Sequence, residues 1–152
     1  MADGTEKPIE TVAVGEAVLT YNLDNHRLEP QPVLQVHTTI HTGKGDDYTV
    51  RLYFANGTVN HNTLPHPYYV EGKGWASYRP NADPIDGKLV AQLAIGDTVY
   101  CFVHGEVVHT KLIRIEEIFT EVVTYNLMNV ANNHNFFANK ILGASGFMVG
   151  NL

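Results

Sequence analysis

The chain has 152 residues, enough for one domain around a single buried core. Its formal net charge is −6 and its Lys and Arg residues are scattered, so nucleic acid is not a predicted partner. There is no apolar run of about 18 residues and no basic-then-apolar start, so neither a membrane partner nor a signal peptide is predicted. We expect a soluble protein. The one cysteine, Cys101, excludes an internal disulfide framework.

Apolar and polar residues alternate along most of the chain, which is typical of half-buried β-strands. The turn signals Asn56-Gly57 and His104-Gly105 interrupt this alternation. No window predicts an amphipathic helix, and no Gly/Ser linker divides the chain. We therefore predict one all-β domain over residues 1–152, built from many short strands. The strand-like segments in chain order are VAVGEAVLTYN (12–22), PVLQVHTTI (32–40), YTVRLYFANGTVNHN (48–62), TVYCFVHGEVVHTKLIRI (98–115) and EVVTYNLMNV (121–130).

Two sequence motifs recur in the same order. VAVGEAVLTYN (12–22) and LAIGDTVYCFV (93–103) both contain an apolar residue, Ala, an apolar residue, Gly and an acidic residue. Further along, YTVRLYF leads to HPYYV at His66, and VVTYNLMNV leads to HNFFA at His134. The repeated order predicts a duplicated unit and a pseudo-twofold β domain.

The segment NHNTLPHPYYVEGKGW places Thr63 three residues before His66. A hydroxyl and an imidazole in one turn can act on a single backbone amide, whose nitrogen must be protonated before it leaves. On spacing alone, a structural histidine at a strand end is the favoured interpretation of His66. His61 and His66 lack a third ligand at suitable spacing, so no metal site and no cofactor are predicted.

His134 follows one predicted strand and precedes the segment NFFANKIL. A lone histidine there would usually be structural. Its relation to His66 through the repeat predicts that the two side chains share a pocket near the pseudo-twofold axis.

Three segments, in order, resemble blocks of the Hint family, the Hedgehog/intein domains: ADGTEKPIETVAVGEAVLTYN, TLPHPYYVEGKGW and VVTYNLMNVANNHNFFANKIL. The resemblance extends from Ala2 to about Ser145. It implies a pseudo-twofold horseshoe of mostly antiparallel strands. It also implies kinship with autocatalytic protein splicing and autoproteolysis, in which a Cys or Ser attacks the preceding carbonyl to form a thioester or ester.

The resemblance assigns roles residue by residue. Thr63 and His66 would assist the first acyl shift, and His134 would assist the step at the C-terminal junction. Asn126 occupies a position where the family often has Asp, and an amide cannot serve as a carboxylate base. Lys140 stands where a glycine usually follows the Ala-Asn pair, so the turn there is expected to differ.

Both ends depart from the family pattern. The Asp-Gly-x-x-x-Pro-Ile segment begins at Asp3, whereas in the family it follows the nucleophile and a first strand. Cys101 lies within a predicted strand and is expected to pack as a small apolar side chain. Where a splicing domain ends in Val-His-Asn, this chain has Gly143, Ala144 and Ser145. Ser145 has no amide to cyclise, and residues 146–152 would be an extension in which Asn151 offers an alternative cyclising residue.

The leading hypothesis is therefore a Hint domain that cannot splice as given. It would be either a retained module of a larger protein, for example a phage or surface protein, or one part of a split or N-cleaving domain. Its partners would be flanking polypeptide and a separate N-terminal fragment that completes the sheet. An unfilled gap in the sheet predicts self-association of the isolated chain.

The competing hypothesis is a β-rich binding module with no processing activity, which would use the aromatic segment HPYYVEGKGWASYRP for a ligand. In that case replacing His66 or His134 would change only stability. A conventional enzyme is disfavoured, because no paired carboxylates, phosphate loop or Ser/His/Asp arrangement is evident in the sequence.

Overall fold

The computed structural model describes residues 2–3, 5–80 and 89–144, apart from the side chains of Asn126, Met128, Asn129 and Ala144. A 3₁₀ turn at Ile9–Thr11 precedes twelve strands in this part of the chain. They are β1 (Ala17–Asn22), β2 (Arg27–His41), β3 (Thr49–Phe54), β4 (Val59–Thr63), β5 (Tyr68–Val70), β6 (Gly74–Ser77), β7 (Ala91–Gln92), β8 (Thr98–Val103), β9 (Glu106–Ile118), β10 (Val122–Val130), β11 (Asn135–Ala138) and β12 (Ile141–Ala144). The all-β prediction is confirmed. Within these ranges no helix has the length and apolar character needed to span a membrane.

The strands form two sheets. The smaller has the order β1-β2-β10, and the larger has the order β4-β3-β9-β8-β12-β5-β6-β7, with β11 paired to β12. Among the described strands, only β6 and β7 pair in parallel, so the prediction of mostly antiparallel strands is also confirmed.

The duplicated unit is visible in the backbone. Gly15 has a φ of 93°, and its amide donates to the carbonyl of Val33 at 2.8 Å. Gly96 has a φ of 97°, and its amide donates to the carbonyl of Leu112, again at 2.8 Å. Glycine suits both turns because positive φ is strained for other residues. The two Gly-acid segments therefore form structurally equivalent turns, one in each half of the duplicated unit.

The two longest strands, β2 and β9, also correspond. β2 pairs with β1 over residues 27–32 and then with β10 from Val33 onwards. β9 pairs with β8 over residues 106–111 and then with β3 from Leu112 onwards. The partner changes at Val33 and Leu112, both with 0% exposure. The pseudo-twofold prediction is confirmed by this matching change of partners.

β2 begins earlier than the sequence pattern predicts, at Arg27, and it continues through Pro30 and Pro32. The amide of Val33 donates towards β1, to the carbonyl of Glu16. Successive amides alternate between edges, so the two proline nitrogens face the other edge, beyond the end of the ladder with β10. Neither proline interrupts the pairing with β1 because no amide donor is needed at these positions.

The buried apolar side chains form two clusters, whereas chain length predicted one core. The larger cluster lies between β3, β5, β8 and β9 and includes Leu112. The smaller includes Val33 and joins the 3₁₀ turn to β1, β10 and β11. Each cluster lies around one of the two long strands and takes side chains from both halves of the duplicated unit, which divides the core.

Candidate functional site

The Thr63–His66 turn follows β4, whose last residue is Thr63. The amide of His66 donates to the carbonyl of Thr63 at 3.3 Å and closes the turn. Thr63 is 4% exposed and His66 0% exposed. β3 supports the turn from one side, since Thr49 pairs with Thr63. The two residues predicted from their spacing therefore lie together in one buried turn.

The imidazole of His66 lies against the backbone of β12. A methyl group built on Gly143 would lie 2.8 Å from His66 Nε2 and 3.3 Å from the carbonyl oxygen of Pro67. Gly143 pairs with Tyr68 of β5, the strand that follows the turn. The Tyr68 ring meets the imidazole edge to face, with centroids 4.9 Å apart. Glycine at 143 thus allows the main chain of β12 to approach the His66 imidazole directly.

Three polar side chains beneath the turn were not predicted. Asn60, Asn62 and Tyr68 are at most 1% exposed. The Tyr68 hydroxyl donates to Asn62 Oδ1 at 2.7 Å and accepts from Asn60 Nδ2 at 3.2 Å. Burial raises the pKa of this hydroxyl, which keeps it protonated as a donor.

A sequence signal for these residues did exist. β4 reads VNHNT, and its period-two alternation puts Asn60 and Asn62 on the inward face, where apolar residues are the norm. Buried amides are costly unless fully hydrogen-bonded, so two of them in one short strand point to a polar site.

His134 lies in a different environment from His66. It directly precedes β11, has a φ of 52° and is exposed to solvent. Its neighbour Asn135 is fully buried and pairs across the ladder with Ala144, the last residue of β12. The His66 imidazole is buried against β12, whereas His134 lies at the surface. That the two side chains share a pocket stays a prediction.

The remaining predicted positions are only partly described. The backbone of Asn126 lies opposite His37 in the ladder between β10 and β2, and its side chain is outside the described residues. Ser145 and Asn151, with the rest of the predicted 146–152 extension, also lie outside them. Ala144 is placed by its backbone alone.

Cys101 packs as predicted: it is 1% exposed within β8, and burial raises the pKa of its thiol. The His61 imidazole contacts Thr49, the ladder partner of Thr63, with 2.6 Å between His61 Nε2 and Thr49 Oγ1. Burial lowers the pKa of His61. Across residues 2–3, 5–80 and 89–144, no group of three or more His, Cys, Asp and Glu side chains could hold a metal ion.

A cleft of about 300 Å³ opens beside β11. Its walls come from the segment before β1, from β1 itself, and from Leu127, Phe136 and Phe137. Phe136 pairs with Gly143, so one strand pair contributes both to the cleft wall and to the backbone beside His66. In the described part of the chain β11 forms a strand ladder only with β12. On its other side the side chain of Asn135 is tied to β1, and residues 136–138 have no ladder partner there among the described strands. This edge could accept an extended peptide.

The turn between β11 and β12 closes in two residues. Asn139 has a φ of 46° and Lys140 a φ of 67°. Positive φ at both central residues is the type I′ geometry of tight hairpins. The sequence predicted that the turn would differ at Lys140. Its backbone nevertheless has the tight-turn geometry, with a lysine at a position that favours glycine.

The comparisons with known proteins agree on one fold. The Ssp DnaB mini-intein variant M86 superposes with a TM-score of 0.69 and 18% identity, covering 95% of this chain and 86% of that one. A DnaB intein from Synechocystis sp. PCC 6803 gives 0.67 and 18%, covering 88% and 80%. A bacterial intein-like domain from Clostridium thermocellum gives 0.64 and 23%, covering 90% and 86%.

The chain therefore has the Hint fold of inteins and bacterial intein-like domains, as its sequence blocks predicted. No protein-family model and no curated protein matches it.

Proposed function

We propose that this chain is the body of a self-processing Hint domain, which cleaves a flanking peptide bond by an acyl shift rather than completing a splicing reaction. The observation that carries the proposal is the buried Thr63–His66 turn with its imidazole against the Gly143 backbone. A site that holds an imidazole against main chain is suited to act on peptide rather than on a diffusing substrate.

The chemistry assigned to His66 is proton transfer. A Cys or Ser on the flanking polypeptide attacks the carbonyl carbon of the preceding peptide bond and forms a thioester or ester. The C–N bond breaks, and the amide nitrogen takes a proton from His66 and becomes a free amine. His66 gives this proton in its protonated form, and the proton released by the nucleophile restores that form. Thr63 orients the peptide, and burial of the turn keeps water from intercepting the acyl group.

The cleft is the proposed entry for the nucleophile-bearing segment. A strand added to the open edge of β11 would gain main-chain hydrogen bonds and would cover apolar walls such as Phe136 and Phe137. This segment is either encoded upstream or supplied as a separate fragment; both sources present the same extended backbone. Such pairing would also cover the unpaired strand edge, which is the expected cause of self-association of the isolated chain.

The experiment is intact-mass spectrometry of the full precursor, incubated with and without dithiothreitol. We expect thiol-dependent release of the upstream segment, since a thiol cleaves a thioester and leaves an unreacted peptide bond intact. His66→Ala should abolish release. His109→Ala is the control, because its exposed imidazole contacts Glu71 and Tyr100 rather than the Thr63–His66 turn, and it should leave release unchanged. An unchanged mass in the unaltered precursor under both conditions would refute the proposal.

One observation favours the competing binding function. Tyr69 packs edge to face on Trp75 and on Tyr100, with centroids 5.2 and 5.4 Å apart, and all three rings are partly exposed. Partly exposed aromatic clusters often mark binding surfaces. A pure binding module requires His66→Ala to alter only thermal stability, and Tyr69→Ala to abolish ligand capture without affecting any cleavage.

A further inference from the structure

A chain of hydrogen bonds runs from the wall of the cleft to the Thr63–His66 turn. Asn139, which lines the cleft, donates through Nδ2 to Asn60 Oδ1 at 3.0 Å. Asn60 Nδ2 donates to the Tyr68 hydroxyl at 3.2 Å and also to the carbonyl of Ala138 at 3.2 Å. The cleft-side end of the chain is thereby tied to both β11 and the turn that follows it.

The other end of the chain reaches the turn itself. The Tyr68 hydroxyl donates to Asn62 Oδ1 at 2.7 Å, and Asn62 Nδ2 donates to the carbonyl of Thr63 at 2.8 Å. The same carbonyl accepts the amide of His66. Each bond in the series polarises the next, since a group that donates becomes a better acceptor.

We infer that this amide–tyrosine chain (Asn139, Asn60, Tyr68 and Asn62) positions the Thr63–His66 turn and links it to the cleft. The inference rests on the proposed function and names the positioning residues of that site. None of the four is assigned to the reacting atoms; each acts through the Thr63 carbonyl or through the edge of the Tyr68 ring on His66.

Burial makes such a network energetically costly unless every polar group in it is hydrogen-bonded. Asn60, Asn62 and Tyr68 fill positions on the inner faces of β4 and β5, where apolar side chains would pack without any hydrogen-bond requirement. A half-satisfied polar network is worse than an apolar one, so the chain acts as a unit that is either complete or broken. Peptide entering the cleft contacts Asn139. A change in the hydrogen bond between Asn139 and Asn60 then alters the bond from Asn60 to Tyr68, and through it the Thr63–His66 turn.

The primary test is ¹⁵N NMR of the imidazole nitrogens of His66 in the full chain, which reports its tautomer and hydrogen bonding without requiring catalysis. Tyr68→Phe removes only the central hydroxyl and keeps the ring. We expect the His66 nitrogen shifts to move, and thiol-dependent cleavage of the precursor to slow at least about tenfold. Thr110→Val is the matched control, because it removes a buried hydroxyl that bonds only to the loop after β3 in the described structure.

A second variant keeps the test sound if Tyr68→Phe does not fold. Asn139→Ala breaks the chain at its partly exposed end and should move the same His66 signals in the same sense. Lys140→Ala, at the next residue and on the same cleft wall, should leave them unchanged.

The outcomes separate the two claims. His66 shifts that stay fixed in both Tyr68→Phe and Asn139→Ala overturn the positioning role, even if stability falls. Shifts that move in a protein whose precursor never releases its upstream segment uphold the positioning role and refute the proposed function. Cleavage that slows only in proportion to the unfolded fraction, with fixed shifts, identifies the chain as structural support alone and overturns the inference.

Discussion

At Gly143 the main chain of β12 lies so close to the His66 imidazole that residue 143 has no room for a side chain. Well-packed interiors do not yield easily to an added methyl group. The neighbours that would have to move are the imidazole and the Pro67 carbonyl, both held by the Thr63–His66 turn. The residue opposite the histidine therefore determines how closely a backbone can approach Nε2.

Gly143→Ala is accordingly expected to lower the free energy of unfolding by about 1–3 kcal/mol through overpacking. Urea denaturation of the full chain measures it. In a His66→Ala background the same substitution should cost less than half as much, because the nearest clashing atom is gone. Equal costs in the two backgrounds would show that the contact with the imidazole is not what excludes a side chain.

At the scale of strands, Asn135 joins β11 to β1 by imitating a backbone pair. Its Oδ1 accepts the amide of Tyr21 at 2.9 Å, and its Nδ2 donates to the carbonyl of Tyr21 at 2.9 Å. One side chain thus satisfies both main-chain groups of a buried residue. It holds together two strands that the ladder itself does not pair.

Asn135→Ala should cost about 2–4 kcal/mol of stability, since two buried backbone groups lose their partner at once. Hydrogen exchange at the Tyr21 amide should accelerate accordingly. Asn133→Ala serves for comparison: its Nδ2 bonds to Thr20 Oγ1 and Glu29 Oε1 are only partly buried, so water can replace them at a cost of about 1 kcal/mol. A slow Tyr21 amide in Asn135→Ala would contradict this account of the junction.

Over the whole molecule, ionisable groups couple stability to pH at both extremes. Hydrogen bonds lower the pKa of carboxyl groups including Glu29, Asp47 and Glu117. In the opposite direction, the hydrogen bond to Glu117 raises the pKa of Tyr78 to about 12, and burial with Glu71 nearby raises that of Tyr100 to about 12. The fold thus prefers charged carboxylates and neutral phenols.

Stability should fall on both sides of neutrality. A carboxyl pKa below its unfolded value contributes stability above about pH 4 and loses it as the pH falls further. A tyrosine pKa above its unfolded value contributes below about pH 10 and loses it as the pH rises towards 12. Urea midpoints at pH 3, 7 and 11 test both limbs. Tyr78→Phe should flatten the alkaline limb; an unaltered slope there would refute the assignment.

Much of this architecture is predictable from local pattern. Period-two alternation identifies the main strand segments, and the Gly15 and Gly96 turns identify the duplication because each needs a positive φ. Spacing and resemblance single out Thr63 and His66, which the structure places in one buried turn. The pattern misplaces the start of β2, since whether Pro30 is tolerated depends on which edge of the strand is paired. It overlooks Asn60, because a polar residue in a strand is read as outward-facing.

Strand content, the repeated order of elements and the Thr-x-x-His spacing follow from the amino-acid sequence, because each depends on residues within a few positions of one another. Contacts between distant segments follow only from tertiary packing. The approach of Gly143 to His66, the hydrogen-bond chain from Asn139 to Thr63 and the open edge of β11 are of this second kind. They depend on how the two halves pack together, and that arrangement leaves no local periodicity in the sequence.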